Sequence, residues 1–462
     1  MLKVFSHYFP MHVVQRLCLD LLLFVVAVVA LAAFRARGPE LEVDWHAMLP
    51  STFGFAVTVV VVNFALGLYR PVDEDSPHTA LARLVLAFIF CLPAAYFAML
   101  MLPWFGFASL WMQAEVLVMT AVILSLRVLI NRKQASSLFA PRILVVGTGE
   151  DALEVQRILL HPEQGNVEVQ AFYPAASDGE PKVDAEKIVA DGSLSEVASR
   201  LRIDEIIVAM RERRGGALPL RELLNCKLDG IHIFDLSTFY ERVRRQVRLD
   251  SLRASWLIYG DGFQQPLQRV FFKRLFDLVV AAGLFVVTLP LNIVVAFMIL
   301  FEDGGPVFYR QERVGQGGRV FRVVKFRSMK QDAEKDGTPR WAESNDARIT
   351  RVGRFIRRLR IDELPQLVNV LLGDMSLVGP RPERPFFVDQ LAREIPFYGI
   401  RHCVKPGLTG WAQVRYQYGA SRDDAVQKLQ YDLYYVKNHT LVLDTLVLLE
   451  TVRVVLMGEG AH

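Results

Sequence analysis

Within residues 360–383 the chain brings two acids, a proline and a proline-flanked arginine into a pattern suited to phosphate chemistry. Asp362 and Glu363 are adjacent, Pro365 follows them, and Gly373 closes a short apolar run. The spacing predicts a helix capped by Asp362 with Glu363 and Pro365 in its first turn, since a proline there lacks only an N–H that has no helical partner. Gly373 is placed to end that helix. Arg381 lies between Pro380 and Pro382, which stiffen the backbone around it. Two carboxylates at a helix start beside a fixed guanidinium suit a metal-bound phosphate. A plain helix cap is the blander reading of the same acids.

The elements that must position this stretch are partly in a membrane. At 462 residues the chain exceeds one ordinary core, so two or three domains are expected. Apolar residues make up 52% of it and gather in the first 130 residues and in 278–300. Runs near residues 17–34, 49–68, 81–102 and 109–129 each approach the roughly 20 residues of a membrane span. Further runs follow the first, and no small-residue cleavage site does, so it reads as an uncleaved anchor. Lys3 and Arg16, then Arg70 and Arg83, then Arg127, Arg132, Lys133 and Arg142 flank alternate connections. The positive-inside rule therefore puts the N-terminus and everything after residue 130 in the cytoplasm. Asp20 in the first run is either a functional intramembrane acid or an interfacial one. The net charge of +4 and the lack of any nucleic-acid-binding pattern exclude nucleic acid as a partner class. Cys18, Cys91, Cys226 and Cys403 show no CxxC spacing and imply neither a disulfide framework nor zinc.

From Arg142 the pattern becomes strand, glycine turn, helix: residues 143–146, then Gly147-Thr-Gly149-Glu-Asp-Ala152, then an apolar-periodic helix. Further strands at 167–172 and 205–209 complete a Rossmann-like α/β domain. The turn would let backbone N–H groups approach a pyrophosphate, which raises the alternative of a nucleotide-sugar oxidoreductase or epimerase. Against it, the second strand runs into Tyr173-Pro174 without an acid for a ribose, and the chain has no Tyr-x-x-x-Lys.

Residues 278–300 carry no charge and have Pro290 mid-segment, with Arg269, Lys273 and Arg274 before and Arg310 and Arg313 after. Basic flanks at both ends and a helix-bending proline predict a re-entrant helix hairpin; a kinked full span is the alternative. A carbonyl freed by Pro290 needs a partner, for which Thr288 is placed. Residues 307–315 and 318–329 alternate like a β-hairpin, and Arg354, Arg357, Arg358 and Arg360 share a helical stretch with Phe355 and Leu359 that suits anionic headgroups or a solvated face. The expected organisation is a membrane α-helical bundle of four transmembrane helices (1–135), a Rossmann-like α/β domain (136–262), a re-entrant membrane helix (263–302) and an α+β catalytic domain (303–462).

The C-terminal motifs resemble the bacterial sugar transferase family of polyprenyl-phosphate hexose-1-phosphate transferases, in its large polytopic form. The resemblance rests on Lys273-Arg274-x-x-Asp277, Gly305-Pro-Val-Phe-Tyr-Arg-Gln-Glu-Arg-Val-Gly315, Lys325-Phe-Arg-Ser-Met329 and Asp346-x-Arg-Ile-Thr350. Asp362-Glu-Leu-Pro-Gln366, Gly373-Asp-Met-Ser376, Val378-Gly-Pro-Arg-Pro-Glu383 and Pro406-Gly-Leu-Thr-Gly410 extend it, in order. It implies transfer of a sugar-1-phosphate from a UDP-sugar to undecaprenyl phosphate at the bacterial inner membrane, starting an exopolysaccharide, capsule or O-antigen unit. It further implies Asp362 as covalent nucleophile, Glu363 as ligand of Mg2+, a homodimer, and membrane lipids as surroundings. Arg381 is the expected phosphate-binding arginine, with Lys325, Arg327, Arg348 and Arg401 as further substrate-binding candidates. Glu383 and Asp374 are placed to orient those arginines.

Overall fold

The structure, a computed structural model, describes residues 2–4, 7–9, 11–35, 44–65, 77–103, 109–131, 141–160, 169–175, 178, 180–210, 219–249, 266–330, 348–416, 419 and 421–457. The chain forms two compact units, divided between Arg244 and Arg245.

The first unit contains the apolar helices α1 (Met11–Arg35), α2 (Trp45–Ala65), α3 (Pro77–Met101) and α4 (Leu110–Asn131). Asp44 starts α2 by accepting from the amides of His46 and Ala47, which explains why the helix begins before the apolar run does. Phe24, Val28, Phe55, Val59, Ala95 and Met112 interlock inside the bundle, while Leu22, Val26, Phe97 and Val118 face outward. An apolar outer face is what a lipid solvent selects. Among the described residues, α1 and α2 are long and apolar enough to cross a membrane, and α3 and α4 contribute shorter apolar stretches, Phe88–Met101 and Leu110–Ser125. Asp20 is buried in the bundle, and the Cys91 thiol donates to Asn63 Oδ1 at 2.9 Å.

The same unit contains a parallel sheet of β1 (Ile143–Val146), β2 (Val169–Tyr173), β3 (Glu205–Val208) and β4 (His232–Asp235), in the order β2-β1-β3-β4. Helices α5 (Glu150–Leu159), α6 (Leu194–Arg200), α7 (Leu220–Leu228) and α8 (Leu236–Val243) accompany it. Strands β1 and β3 are buried on both faces, as a parallel sheet covered by helices requires. The fourth strand is not apparent from composition, because it is short and ends on Asp235, whose carboxylate caps α8 through the Thr238 amide.

The second unit is built on α9 (Leu267–Asp303). Two expectations change here. Pro290 stands inside one helical element, and Thr288 Oγ1 donates to Leu284 O at 2.8 Å, not to the carbonyl that Pro290 leaves without its usual amide. The unit also starts earlier than residue 263, since the Trp411 indole donates to Arg245 O and the Val247 amide to Gln430 O. Both ends of α9 dock on one body. Near its start, Arg274 donates to Val370 O and Leu371 O (2.6 and 2.8 Å), and Asp277 accepts from the Leu377 amide. Near its end, Glu302 accepts from the amides of Arg351 and Val352, while Val295 and Ile299 pack on Phe326, Ile356 and Ile361. Of residues 282–294 between them, none is buried.

Around α9 stand an antiparallel hairpin of β5 (Phe308–Val314) and β6 (Val320–Phe326), then α10 (Arg351–Arg358), a 3-10 turn (Ile361–Gln366) and α11 (Leu367–Leu372). A short parallel pair, β7 (Ser376–Val378) and β8 (Gly407–Thr409), follows with α12 (Pro385–Glu394), α13 (Trp411–Arg415), α14 (Arg422–Asn438) and α15 (Leu441–Met457).

Candidate active site

Asp362 does not cap a helix, as its position before a proline suggests. It lies inside the 3-10 turn, and the residue ahead of the turn is Arg360 in the left-handed conformation (φ 58°). That conformation, uncommon for a residue with a Cβ, swings the chain out of α10 and presents Asp362 and Glu363 one after the other. Gly373 closes α11 with φ 97°, as its lack of a side chain allows.

The turn is fastened from β6. Asn369 in α11 accepts from the Val324 amide (3.0 Å) and donates to Arg322 O (2.8 Å), so one side-chain amide pairs with the strand edge as another strand would. Lys325 follows directly and reaches Glu363 Oε1 at 3.2 Å. Arg381 donates to the same oxygen at 2.8 Å, and Arg360 lies 3.8 Å from it. Burial penalises the charge of Glu363, but Arg381, Lys325 and Arg360 outweigh it and hold the carboxyl well below its ordinary range. Asp362 has the opposite fate. Burial and the adjacent Glu363 push its carboxyl up to about 6, against the pull of Lys325, Arg357 and Arg360. Burial also lowers Lys325 from the ordinary lysine range, with Glu363 opposing the shift. The site therefore joins a partly exposed, comparatively basic carboxylate to a clamped one flanked by cations.

Of the residues singled out from sequence, Asp362, Glu363, Lys325 and Arg381 come together. Arg327 does not: its guanidinium is turned to Asp303 O and Gly304 O and lies 3.4 Å from the Asp303 carboxylate, tying β6 to the end of α9. Arg401 is likewise buried and turned from the acid pair, 2.8 Å from Asp432 and donating to the carbonyl of Arg381. In both, a sequence-distant internal acceptor claims the cation. Arg348 stands where Met329 bridges to Ile349, its carbonyl accepting from the Lys330 amide. Glu383 lies 3.5 Å from Arg313, and its carbonyl accepts from Val314. Asp374 is near Asn369 Nδ2, at 3.5 Å. Arg357, Arg360 and Asn369 are the site neighbours that sequence reasoning did not assign there. The proximity of Arg360 to the acid pair was the available signal.

The glycine turn of the α/β sheet is occupied from within. Asp178 accepts from both the amide and the hydroxyl of Thr148 (2.8 and 3.0 Å) and from the Ala175 amide. Glu150, at the start of α5, is paired with Lys182. A pyrophosphate at this helix start would meet two carboxylates.

Residues 268–458 match the family described as bacterial sugar transferase. Over 357 residues, 76% of this chain and 74% of the other, the sequence is 30% identical to the UDP-glucose:undecaprenyl-phosphate glucose-1-phosphate transferase of Xanthomonas campestris pv. campestris. This chain belongs to the bacterial sugar transferase family. Within that family it is 44% identical over 262 residues to the UDP-N-acetylgalactosamine-undecaprenyl-phosphate N-acetylgalactosaminephosphotransferase of Aeromonas hydrophila. It is 35% identical over 282 residues to the UDP-glucose:undecaprenyl-phosphate glucose-1-phosphate transferase of Klebsiella pneumoniae. These last two matches span 57% and 59% of this chain, and 61% and 59% of the relatives' lengths.

Proposed function

We propose that this bacterial sugar transferase moves a sugar-1-phosphate from a UDP-sugar to undecaprenyl phosphate, giving undecaprenyl-diphosphate-sugar and UMP. The observation that carries the reading is the unequal acid pair: Asp362 raised to about 6, beside a Glu363 held ionised by Lys325 and Arg381. A carboxylate shifted this far is still ionised at neutral pH, yet is more basic than an ordinary aspartate, as a nucleophile should be. An Asp362 oxygen attacks the phosphorus that bears the sugar, the bond from that phosphorus to the UMP oxygen breaks, and UMP leaves. An oxygen of undecaprenyl phosphate then attacks the same phosphorus, and the Asp362 carboxylate is released unchanged. Splitting the transfer means that each step brings only one substrate to the phosphorus, which suits a soluble donor and a lipid acceptor.

Arg381 and Lys325 are the groups that meet phosphate oxygens, as fork donor and point charge respectively. A divalent ion fits these residues in one way. Among the described residues no group of three or more His, Cys, Asp or Glu side chains forms a cage, but magnesium typically needs one or two carboxylates with phosphate oxygens and water. Glu363 would hold it there, and the ion would supply positive charge to the oxygens of the transferring phosphoryl group.

For the membrane, we propose that α1 to α4 span the inner membrane and that α9 enters and leaves by the cytoplasmic face. Support for this comes from α9, whose two ends bind the same folded unit while the residues between them offer apolar side chains outward. Relatives bear the names of an N-acetylgalactosaminephosphotransferase and a glucose-1-phosphate transferase, so the donor is best found by assay. Enzyme in lipid nanodiscs, given undecaprenyl phosphate and magnesium, is expected to release UMP from one or more of UDP-glucose, UDP-galactose, UDP-N-acetylglucosamine and UDP-N-acetylgalactosamine. Release from none of them would count against the proposal.

A further inference from the structure

The segment carrying Arg381 is held by its carbonyls. Pro380 and Pro382 have no N–H, so the backbone there offers few donors of its own. Instead four consecutive carbonyls are each taken by a different donor. Pro380 O accepts from the Gly407 amide (3.0 Å), Arg381 O from Arg401 Nη2 (2.9 Å), Pro382 O from Arg313 Nη1 (3.0 Å) and Glu383 O from the Val314 amide (2.9 Å). Two of the four donors are guanidinium groups. Arg313 is exposed enough to reach solvent; Arg401 is buried.

Arg401 is held at both terminal nitrogens, while its buried Nε has no hydrogen-bond partner among the described residues. Its Nη2 carries two hydrogens; one goes to Arg381 O and the other faces Asp432 Oδ2 at 2.8 Å. Its Nη1 donates to the Tyr398 hydroxyl at 2.6 Å, and the guanidinium lies 5.1 Å from the Tyr398 ring centroid. Asp432 is almost wholly buried, at 1% exposure, in the middle of α14, and Tyr398 is buried between α12 and β8. A buried ion pair adds little net stability over an apolar pair, but with further bonds at Nη1 and Nη2 it fixes the direction of the guanidinium's outer edge. Here the direction fixed is that of the carbonyl of Arg381.

We propose that Arg401, oriented by Asp432 and Tyr398, is a positioning residue that sets Arg381 by gripping its carbonyl, and is not a second guanidinium for substrate phosphate. The inference rests on the reading of Arg381 as a phosphate-binding group. Its test is a set of double-mutant cycles on the full-length enzyme in nanodiscs, with Asp432→Asn, Tyr398→Phe and Arg401→Lys each made alone and with Arg381→Ala. Each single variant is expected to lower kcat/KM for UMP release about tenfold, yet by less than about twofold once Arg381 is already alanine. Losses of equal size in both backgrounds would overturn the proposal, since they would mean that Arg401 acts independently of Arg381. Hydrogen exchange supplies a readout that needs no activity: in Asp432→Asn, amides of residues 376–383 should exchange faster while those of β1 stay unchanged. Unchanged exchange in 376–383, or a uniform rise across the chain, contradicts the brace. If Asp432→Asn fails to melt cooperatively, Tyr398→Phe, which deletes one oxygen, carries the same cycle and exchange measurement. Absence of UMP release from the parent enzyme would count against the function, and the exchange result would still decide the brace.

Discussion

Asp362 and Glu363 are neighbours with opposite electrostatic environments, and the signs set how each responds to pH and to substitution. Asp362 in the folded protein binds its proton more tightly than a free aspartate does, near pH 6. UMP release in a single turnover should therefore fall roughly tenfold for each pH unit below about 6, and level off above it. Stability runs the other way. A carboxyl raised on folding favours the folded state below its unfolded pKa, and that contribution is lost as pH rises through its folded value. Asp362→Asn should accordingly melt higher than the parent at pH 8, by the equivalent of about 1–2 kcal/mol after allowing for partial exposure, with the gap closing toward pH 4. Glu363→Gln should melt lower, because Lys325 and Arg381 lose the charge that pairs with them. The same melting sign for both variants would show that the asymmetry is misread. The acid pair and Arg381 were legible in the sequence because prolines and spacing mark them locally. Arg327 and Arg401 were not, since what claims them is the end of α9 in one case and Asp432 in the other. A basic side chain in sequence does not name its acceptor.

Among the elements, α9 carries most of the architecture around the site. Arg274 binds the last carbonyls of α11, the helix that follows the 3-10 turn carrying the acid pair. Arg274→Ala should cost about 1.5–3 kcal/mol, the range for hydrogen bonds from a charged group, seen as a lower melting temperature. The apolar run of α9 and its proline are plain in the sequence, whereas the partners that dock its two ends are not, because Arg351, Val352, Val370 and Leu371 lie far along the chain. If both ends leave by the same face, single cysteines at Leu267 and Phe301, each 87% exposed, should react with a membrane-impermeant maleimide from the same side of sealed vesicles. Labelling from opposite sides would make α9 a full span. The 3-10 turn was also hidden, since nothing in Arg360 announces a positive φ.

At the scale of the molecule, the unit that holds the acid pair shares one chain with an α/β sheet and an apolar helical region. The sheet was visible as strand, glycine turn and helix, and the turn alone suggested a dinucleotide. Asp178 changes that reading, because it sits on the amide that a phosphate would need. Purified enzyme should show no nicotinamide fluorescence and no shift in melting temperature with NAD(H) or NADP(H), whereas a stabilising shift of several degrees would reopen the oxidoreductase alternative. The proposed chemistry turns on one bond, from an Asp362 oxygen to the phosphorus that bears the sugar. Enzyme incubated with its UDP-sugar and magnesium, without undecaprenyl phosphate, should gain the mass of one sugar-phosphate on the peptide containing Asp362, and lose it again when the lipid phosphate is added. An active enzyme that never carries this adduct, or an Asp362→Asn variant that still turns over, would contradict the account.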